Sequence, residues 1–158
     1  HIVVEAAQLA EQDLAPEEIC ARLNDLTGRV EASFLLDRLD YMVKGGRCSS
    51  AAALGANLLR LKPCIEVIDG KMRVVKKYRG PYNKCIHDYV TERLTNRDDL
   101  RGDRIFITHA AAEPDTVETA RAAIAESHPF DEVYETHAGC TVTCHCGPHT
   151  LGVLFIRK

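Results

Sequence analysis

The chain has 158 residues, 46% of them hydrophobic and 27% charged, with a formal net charge of −3. That is enough length for one domain with a real core, and the mild acidity gives no ground for nucleic acid or an anionic membrane as the main partner. No apolar run approaches the roughly 20 residues needed to span a bilayer, and the seven cysteines, odd in number and scattered, read as reduced thiols of a cytoplasmic protein.

The first stretch patterns as an amphipathic helix, with Ile2, Val3, Ala6, Ala7, Leu9 and Ala10 on its apolar side. It has no signal-peptide character. A chain that starts inside a helical pattern and without Met is expected to be part of a longer one. Pro16, Glu17 and Glu18 open a second helix, where the missing N–H and the helix dipole favour them. Its stripe is Ile19, Leu23 and Leu26, and Thr27-Gly28 ends it. Arg29 to Leu35 is an expected strand with Val30, Ala32 and Phe34 on one side. Leu36, Leu39 and Val43 have helical spacing, and Gly45-Gly46 stops that helix. Ser49 or Ser50 then caps a helix from Ala51 to Leu61, which Pro63 terminates. Cys64 to Ile68 and Met72 to Val75 flank Asp69-Gly70, a hairpin signal. Pro81 to Leu94 reads as a helix, Asn96 to Asp103 as a loop, Arg104 to His109 as a strand, and Pro114 to Glu126 as a helix. Phe130 to Thr136 and Cys140 to Cys144 read as one or two strands, and Thr150 to Ile156 as the last. This alternation implies an α/β fold, a mixed β-sheet with helices packed on it, in a single domain over residues 1–158.

Several residues carry chemistry. Arg47 follows two glycines, where it either faces a carboxylate or a partner's acidic patch or caps the preceding helix. Arg79 closes a basic run with Lys71, Arg73, Lys76 and Lys77. Such a run protects an edge strand from aggregation or docks an acidic or phosphate-bearing partner. Cys140, Cys144, His145, Cys146 and His149 could be taken for a metal-binding or redox module. The Cys140-x3-Cys144 spacing is poor for zinc, and on a strand His145 would point away from the cysteines. The cysteines therefore read as small core residues with no metal. His109, Asp115 and Glu118 could form an acid–base set, and His109 ends a strand where α/β proteins place ligands. A small α/β hydrolase or transferase using His109 or His145 would also need a nucleophile, and no nucleophile motif or phosphate loop accompanies them. No catalytic residue is assigned.

Two blocks carry a resemblance. The first holds Leu39, Lys44-Gly45-Gly46-Arg47, Leu58-Leu59, Lys62-Pro63, Asp69-Gly70 and Arg79. The second is His145-Cys146-Gly147-Pro148 followed by Leu151-Gly152-Val153. In this order and spacing they resemble the DegV family, the fatty-acid-binding subunits of bacterial fatty acid kinase, over the C-terminal half of a member. The resemblance implies a non-catalytic, cytoplasmic lipid-binding subunit that serves phospholipid synthesis. It would hold a long-chain fatty acid as ligand, with no cofactor, and present its carboxylate to a separate ATP-binding kinase subunit. It implies that His145 hydrogen-bonds the carboxylate, and that Arg79, with Arg47, handles the kinase subunit or the phosphoryl group. Family members also carry an N-terminal domain whose Ser/Thr motifs hold the carboxylate, and nothing in this chain matches those motifs. An acyl tail needs an apolar tunnel, because each buried methylene contributes about 0.8 kcal/mol. The small Ala53 and Ala56, with Leu54 and Leu58, are the expected wall, although the same alanines would also suit close helix packing. The chain departs from the family at His149, where a small residue is usual. There it crowds the carboxylate or adds a second donor.

Overall fold

The computed structural model describes residues 1–46 and 59–158. Within them lie α1 (Ile2–Ala10), α2 (Pro16–Thr27), β1 (Val30–Leu35), α3 (Asp40–Lys44), β2 (Leu61–Ile68), β3 (Lys71–Arg79), α4 (Tyr82–Leu94), β4 (Arg104–His109), α5 (Pro114–Ser127), β5 (Glu132–His137), α6 (Cys140–Cys146) and β6 (Leu151–Ile156). The six strands form one mixed sheet in the order β3-β2-β1-β6-β4-β5. Only β4 and β5 run parallel, and α5 supplies the crossover that a parallel pair requires. The other neighbours are antiparallel.

The pleat sorts the strand residues onto two faces. One face is sealed by α4 and α5. Leu35, Cys64, Ile105, Ile107, Leu151, Val153 and Phe155 pack there against Ile86, Tyr89, Val90, Val117 and Ile124. Tyr89 is fully buried yet satisfied: its hydroxyl accepts from Val153 N at 3.2 Å and lies 2.7 Å from Ser33 Oγ. Burial raises its pKa well above the ordinary phenol range. The opposite face carries Phe34, Ile65, Gly152, Thr108 and Thr136 in one register row, and Ala32, Leu154, Phe106 and Tyr134 in the next. It is only partly covered.

Three expectations change. Cys140–Cys146 is a helix, not a strand. Its β-branched Thr and Val residues favour strands weakly, and packing overrides that preference: Cys146 is buried against Leu36, Met42 and Ile65, and Gly147 at φ 84 closes the turn. The helix expected to run to Leu61 does not reach it, because β2 begins there. Pro63 lies inside that strand, one residue beyond the last β1 pairing, Leu35 with Cys64. Its carbonyl accepts from Leu36 N at 3.0 Å, so its missing N–H breaks no bond to β1. Finally, the helix expected from Leu36 is only Asp40–Lys44. Leu36 is instead a fully buried residue under it.

Candidate functional site

One end of the sheet gathers everything of interest. The pairings Leu35 with Leu151, Leu151 with His109, His109 with His137, and Leu61 with Arg79 place these residues on a common edge. The segments that cap this edge are α3 and the turn between α6 and β6. They are the two glycine-containing blocks of the sequence, and they interlock. A Cβ on Gly45 would lie 2.5 Å from His145 Nδ1, and one on Gly147 would lie 2.4 Å from Tyr41 Cδ2. Each block's glycine therefore makes room for the other block's ring.

His145 sits in the last turn of α6 rather than at a strand end. Its ring is half-buried, with Nδ1 against Gly45 and no hydrogen-bond partner for that atom among the described residues. A buried ring nitrogen left unpaired costs about 1–3 kcal/mol unless something outside the chain meets it. The supporting turn is firmly held. Thr150 Oγ1 donates to Cys146 O at 3.0 Å, and His149 N donates to Ala110 O at 2.7 Å. Tyr82 Oη donates toward Leu35 O at 3.1 Å and toward His149 O. Burial pushes the Tyr82 phenol well above its ordinary range, so it stays a donor. Lys62 Nζ bonds Asp37 through its backbone O at 2.8 Å and Oδ1 at 2.5 Å.

The partly covered sheet face leads away from this edge. Phe34, Ala32, Leu154 and Phe106 are half-buried there, and Val67, Met72 and Val74 are exposed beyond them. Gly152 is buried in the middle of the row, where a Cβ would meet Ser33 O at 2.4 Å and Phe34 Cβ at 2.8 Å, so the strands meet there without a side chain. At the far end α1 reaches over: the His1 ring lies 4.6 Å from Phe106, and His1 Nε2 donates to Leu154 O at 2.9 Å. Glu5 pairs with the buried Arg104. The result is an apolar strip with one polar end, the shape that suits an amphiphile.

Of the residues singled out from sequence, Arg79 ends β3 on this same edge, exposed and without an ion pair among the described residues. Arg47, Ala53, Leu54, Ala56 and Leu58 lie outside the described residues. His109 is buried, and both ring nitrogens are in use. Ala112 N donates to Nδ1 at 3.1 Å, so Nε2 carries the proton that goes to Glu135 Oε1, also at 3.1 Å. Arg121 binds the other Glu135 oxygen, and these two contacts hold the Glu135 carboxyl below its usual range. Asp115 accepts from Asn83 and Glu118 pairs with Arg121, so neither joins His109 in a catalytic set. Cys140 and Cys144 are exposed, Cys146 is buried, and burial raises the Cys146 thiol. Among the described residues no three His, Cys, Asp or Glu side chains converge as metal ligands, and no helix is long and apolar enough to cross a membrane. Sequence reasoning missed Tyr41 and Tyr82. The one signal for Tyr41 was its place four residues before Gly45, at helical spacing.

The sequence pattern that defines the DegV family, described as one of uncharacterised proteins, matches residues 1–158. The fatty acid-binding protein of Thermotoga maritima is 27% identical over 149 residues, which cover 93% of this chain and 51% of that protein. The fold is shared with a DegV family protein of Eubacterium eligens loaded with heptadecanoic acid, with a TM-score of 0.84 at 18% identity over 99% of this chain and 56% of that one. It is shared also with the Streptococcus pneumoniae fatty acid kinase B3 protein loaded with linoleic acid, with a TM-score of 0.80 at 18% identity over 99% and 55%. This chain spans about half the length of the curated relatives it matches.

Proposed function

The chain belongs to the DegV family, and from that premise we propose that it binds a long-chain fatty acid and presents its carboxylate to a separate kinase subunit. The tail lies along the partly covered sheet face over Phe34, Leu154 and Gly152, with Ala53, Leu54, Ala56 and Leu58 as a further wall. The carboxylate meets His145. The observation that carries this reading is the strip itself, largely apolar and headed by an imidazole whose buried nitrogen has no partner among the described residues. The name of the Thermotoga maritima relative supports the same ligand. Burying a methylene contributes about 0.8 kcal/mol, so the tail supplies the affinity and the polar end sets the orientation.

In the transfer step a carboxylate oxygen attacks the terminal phosphorus of a nucleoside triphosphate held by the kinase subunit. An O–P bond forms, and the bond to the nucleoside diphosphate breaks with its electron pair on the leaving group. No side chain of this chain exchanges electrons or makes a covalent bond. Arg79, exposed at the same edge, and Arg47 serve the kinase subunit or the phosphoryl group, where a guanidinium fork pairs two oxygens. The cytoplasm, where a nucleoside triphosphate is at hand, is the proposed location.

The test separates holding from handing over. In the full-length protein His145→Ala should weaken fatty-acid binding about tenfold or more, since a hydrogen bond to a charged group contributes roughly 1.5–3 kcal/mol. Arg79→Ala should leave the lipid bound and reduce acyl-phosphate formation or kinase-subunit association. Lipid occupancy by mass spectrometry, read beside acyl-phosphate yield, decides it. An empty pocket in Arg79→Ala with a full one in His145→Ala would reverse the assignment.

A further inference from the structure

Beside the His145–Gly45 contact lies an open cleft of about 680 Å³ bordered by Asp37, Arg38, Asp40, Tyr41, Lys44, Pro148 and His149. Both carboxylates in its wall are matched: Asp37 by Lys62, and Asp40 by Arg38 at 2.6 Å. Lys44 has no carboxylate partner among the described residues. Its Nζ stands 5.7 Å from the Tyr41 ring centre, and that ring is itself braced on Gly147. His149 lies across the cleft in the left-handed region, at φ 64, a conformation that disfavours an L side chain. The hydrogen bonds of its own N–H and carbonyl, to Ala110 and from Tyr82, hold it there. A strained backbone pinned on both sides fixes where the side chain leaves the main chain. The cleft thus combines one cation without a carboxylate partner, one imidazole and two neutralised acids. It adjoins the proposed carboxylate end through Gly45, next to Lys44, and Gly147, two residues before His149.

We infer that Lys44 and His149 form a subsite for the phosphoryl group of the acyl phosphate, so that the chain retains product more tightly than fatty acid. The inference rests on the fatty-acid reading above. An ammonium acts on a phosphate as a point charge, and an imidazole N–H supplies a directed donor. Neither has a matching task on the mono-anionic carboxylate, which the reading above assigns to His145.

The experiment compares palmitate with palmitoyl phosphonate, in which the P–C bond resists hydrolysis, on the full-length protein and two variants. Lys44→Gln removes an exposed charge. His149→Gly removes the imidazole and relieves the left-handed backbone, so both variants should fold, as a thermal melt verifies. Each should weaken phosphonate binding at least fivefold and leave palmitate affinity within twofold of the parent. Unchanged phosphonate binding in both variants overturns the inference, as does an equal fall for both ligands. If the unaltered protein binds neither ligand, the fatty-acid reading fails first and the subsite fails with it.

Discussion

Gly45→Ala should cripple ligand binding while leaving the fold almost untouched. Gly45 has φ −79, which any residue adopts, so alanine brings no backbone strain. Reducing the freedom of the unfolded chain should add about 0.4–1 kcal/mol of stability. The new methyl would lie 2.5 Å from His145 Nδ1 and 3.3 Å from Cε1, closer than those atoms can approach. The half-buried imidazole must turn out of its rotamer, at a cost of roughly 0.5–1.5 kcal/mol. The two terms nearly cancel, and the net change in stability should stay within about 1 kcal/mol. With His145 in its proposed role, the displaced ring no longer reaches the carboxylate, and the loss of roughly 1.5–3 kcal/mol there is about tenfold or more in affinity. Chemical denaturation and lipid occupancy of the full-length variant measure the two quantities separately. A Gly45→Ala, His145→Ala double variant should bind no worse than His145→Ala alone, because both act through one ring. Unimpaired binding in Gly45→Ala, or a double variant much worse than either single one, would refute the reasoning.

Gly147→Ala is the contrasting case. It combines φ 84 with a methyl 2.4 Å from the body of the Tyr41 ring, and should cost about 2–5 kcal/mol in a denaturant midpoint assay. His109→Asn should lower stability by about 1–3 kcal/mol through its lost ties to Ala112 and Glu135, yet leave lipid occupancy within twofold; a collapse of binding would restore His109 to the site. The Glu92 carboxyl is held below its ordinary range by hydrogen bonds from Lys76 and Tyr78. A depressed carboxyl contributes stability that is full above its unfolded value and is lost as pH falls through the lowered folded one. Glu92→Gln should therefore flatten the acid limb of a stability–pH curve below the usual glutamate range, and an unchanged limb would show the pair to be inert. Protein purified without chelator should carry no stoichiometric zinc and no disulfide among Cys140, Cys144 and Cys146, by elemental analysis and thiol titration.

Much of the fold was legible because the signals were local. Asp69-Gly70 sits in the hairpin turn with both residues at positive φ, as the pair demands. The stripe Ile86, Tyr89, Val90 and Leu94 is buried along α4. Lys71 to Arg79 is the exposed edge strand that its cations suit. The failures come where distant packing decides. Residues 140–146 hold two cysteine-flanked threonines and a valine, and no periodicity in seven residues separates helix from strand. The contact of Cys146 with Met42, about a hundred positions away in sequence, makes the choice. Pro63 misled for a related reason. A proline forbids a helix interior, but whether a strand tolerates it depends on which neighbour is missing, and that is a property of the assembled sheet.

The site was legible as two lists of residues and not as a place. Nothing in the spacing of Lys44-Gly45-Gly46 or His145-Cys146-Gly147-Pro148 says that the two blocks touch. Glycine in each could have meant only a helix cap and a turn. In the fold, Gly147 does supply a left-handed turn, but Gly45 does not need one. Its missing side chain is space for His145. At φ −79 an alanine would reduce the freedom of the unfolded chain, so nothing in the backbone demands glycine there. The space holds an imidazole nitrogen against the backbone with no partner among the described residues, which is a poor use of a buried polar atom unless a ligand completes it. The same reasoning makes Gly45→Ala the sharpest perturbation of the candidate site, since it leaves the fold nearly unchanged and removes what the proposed binding requires.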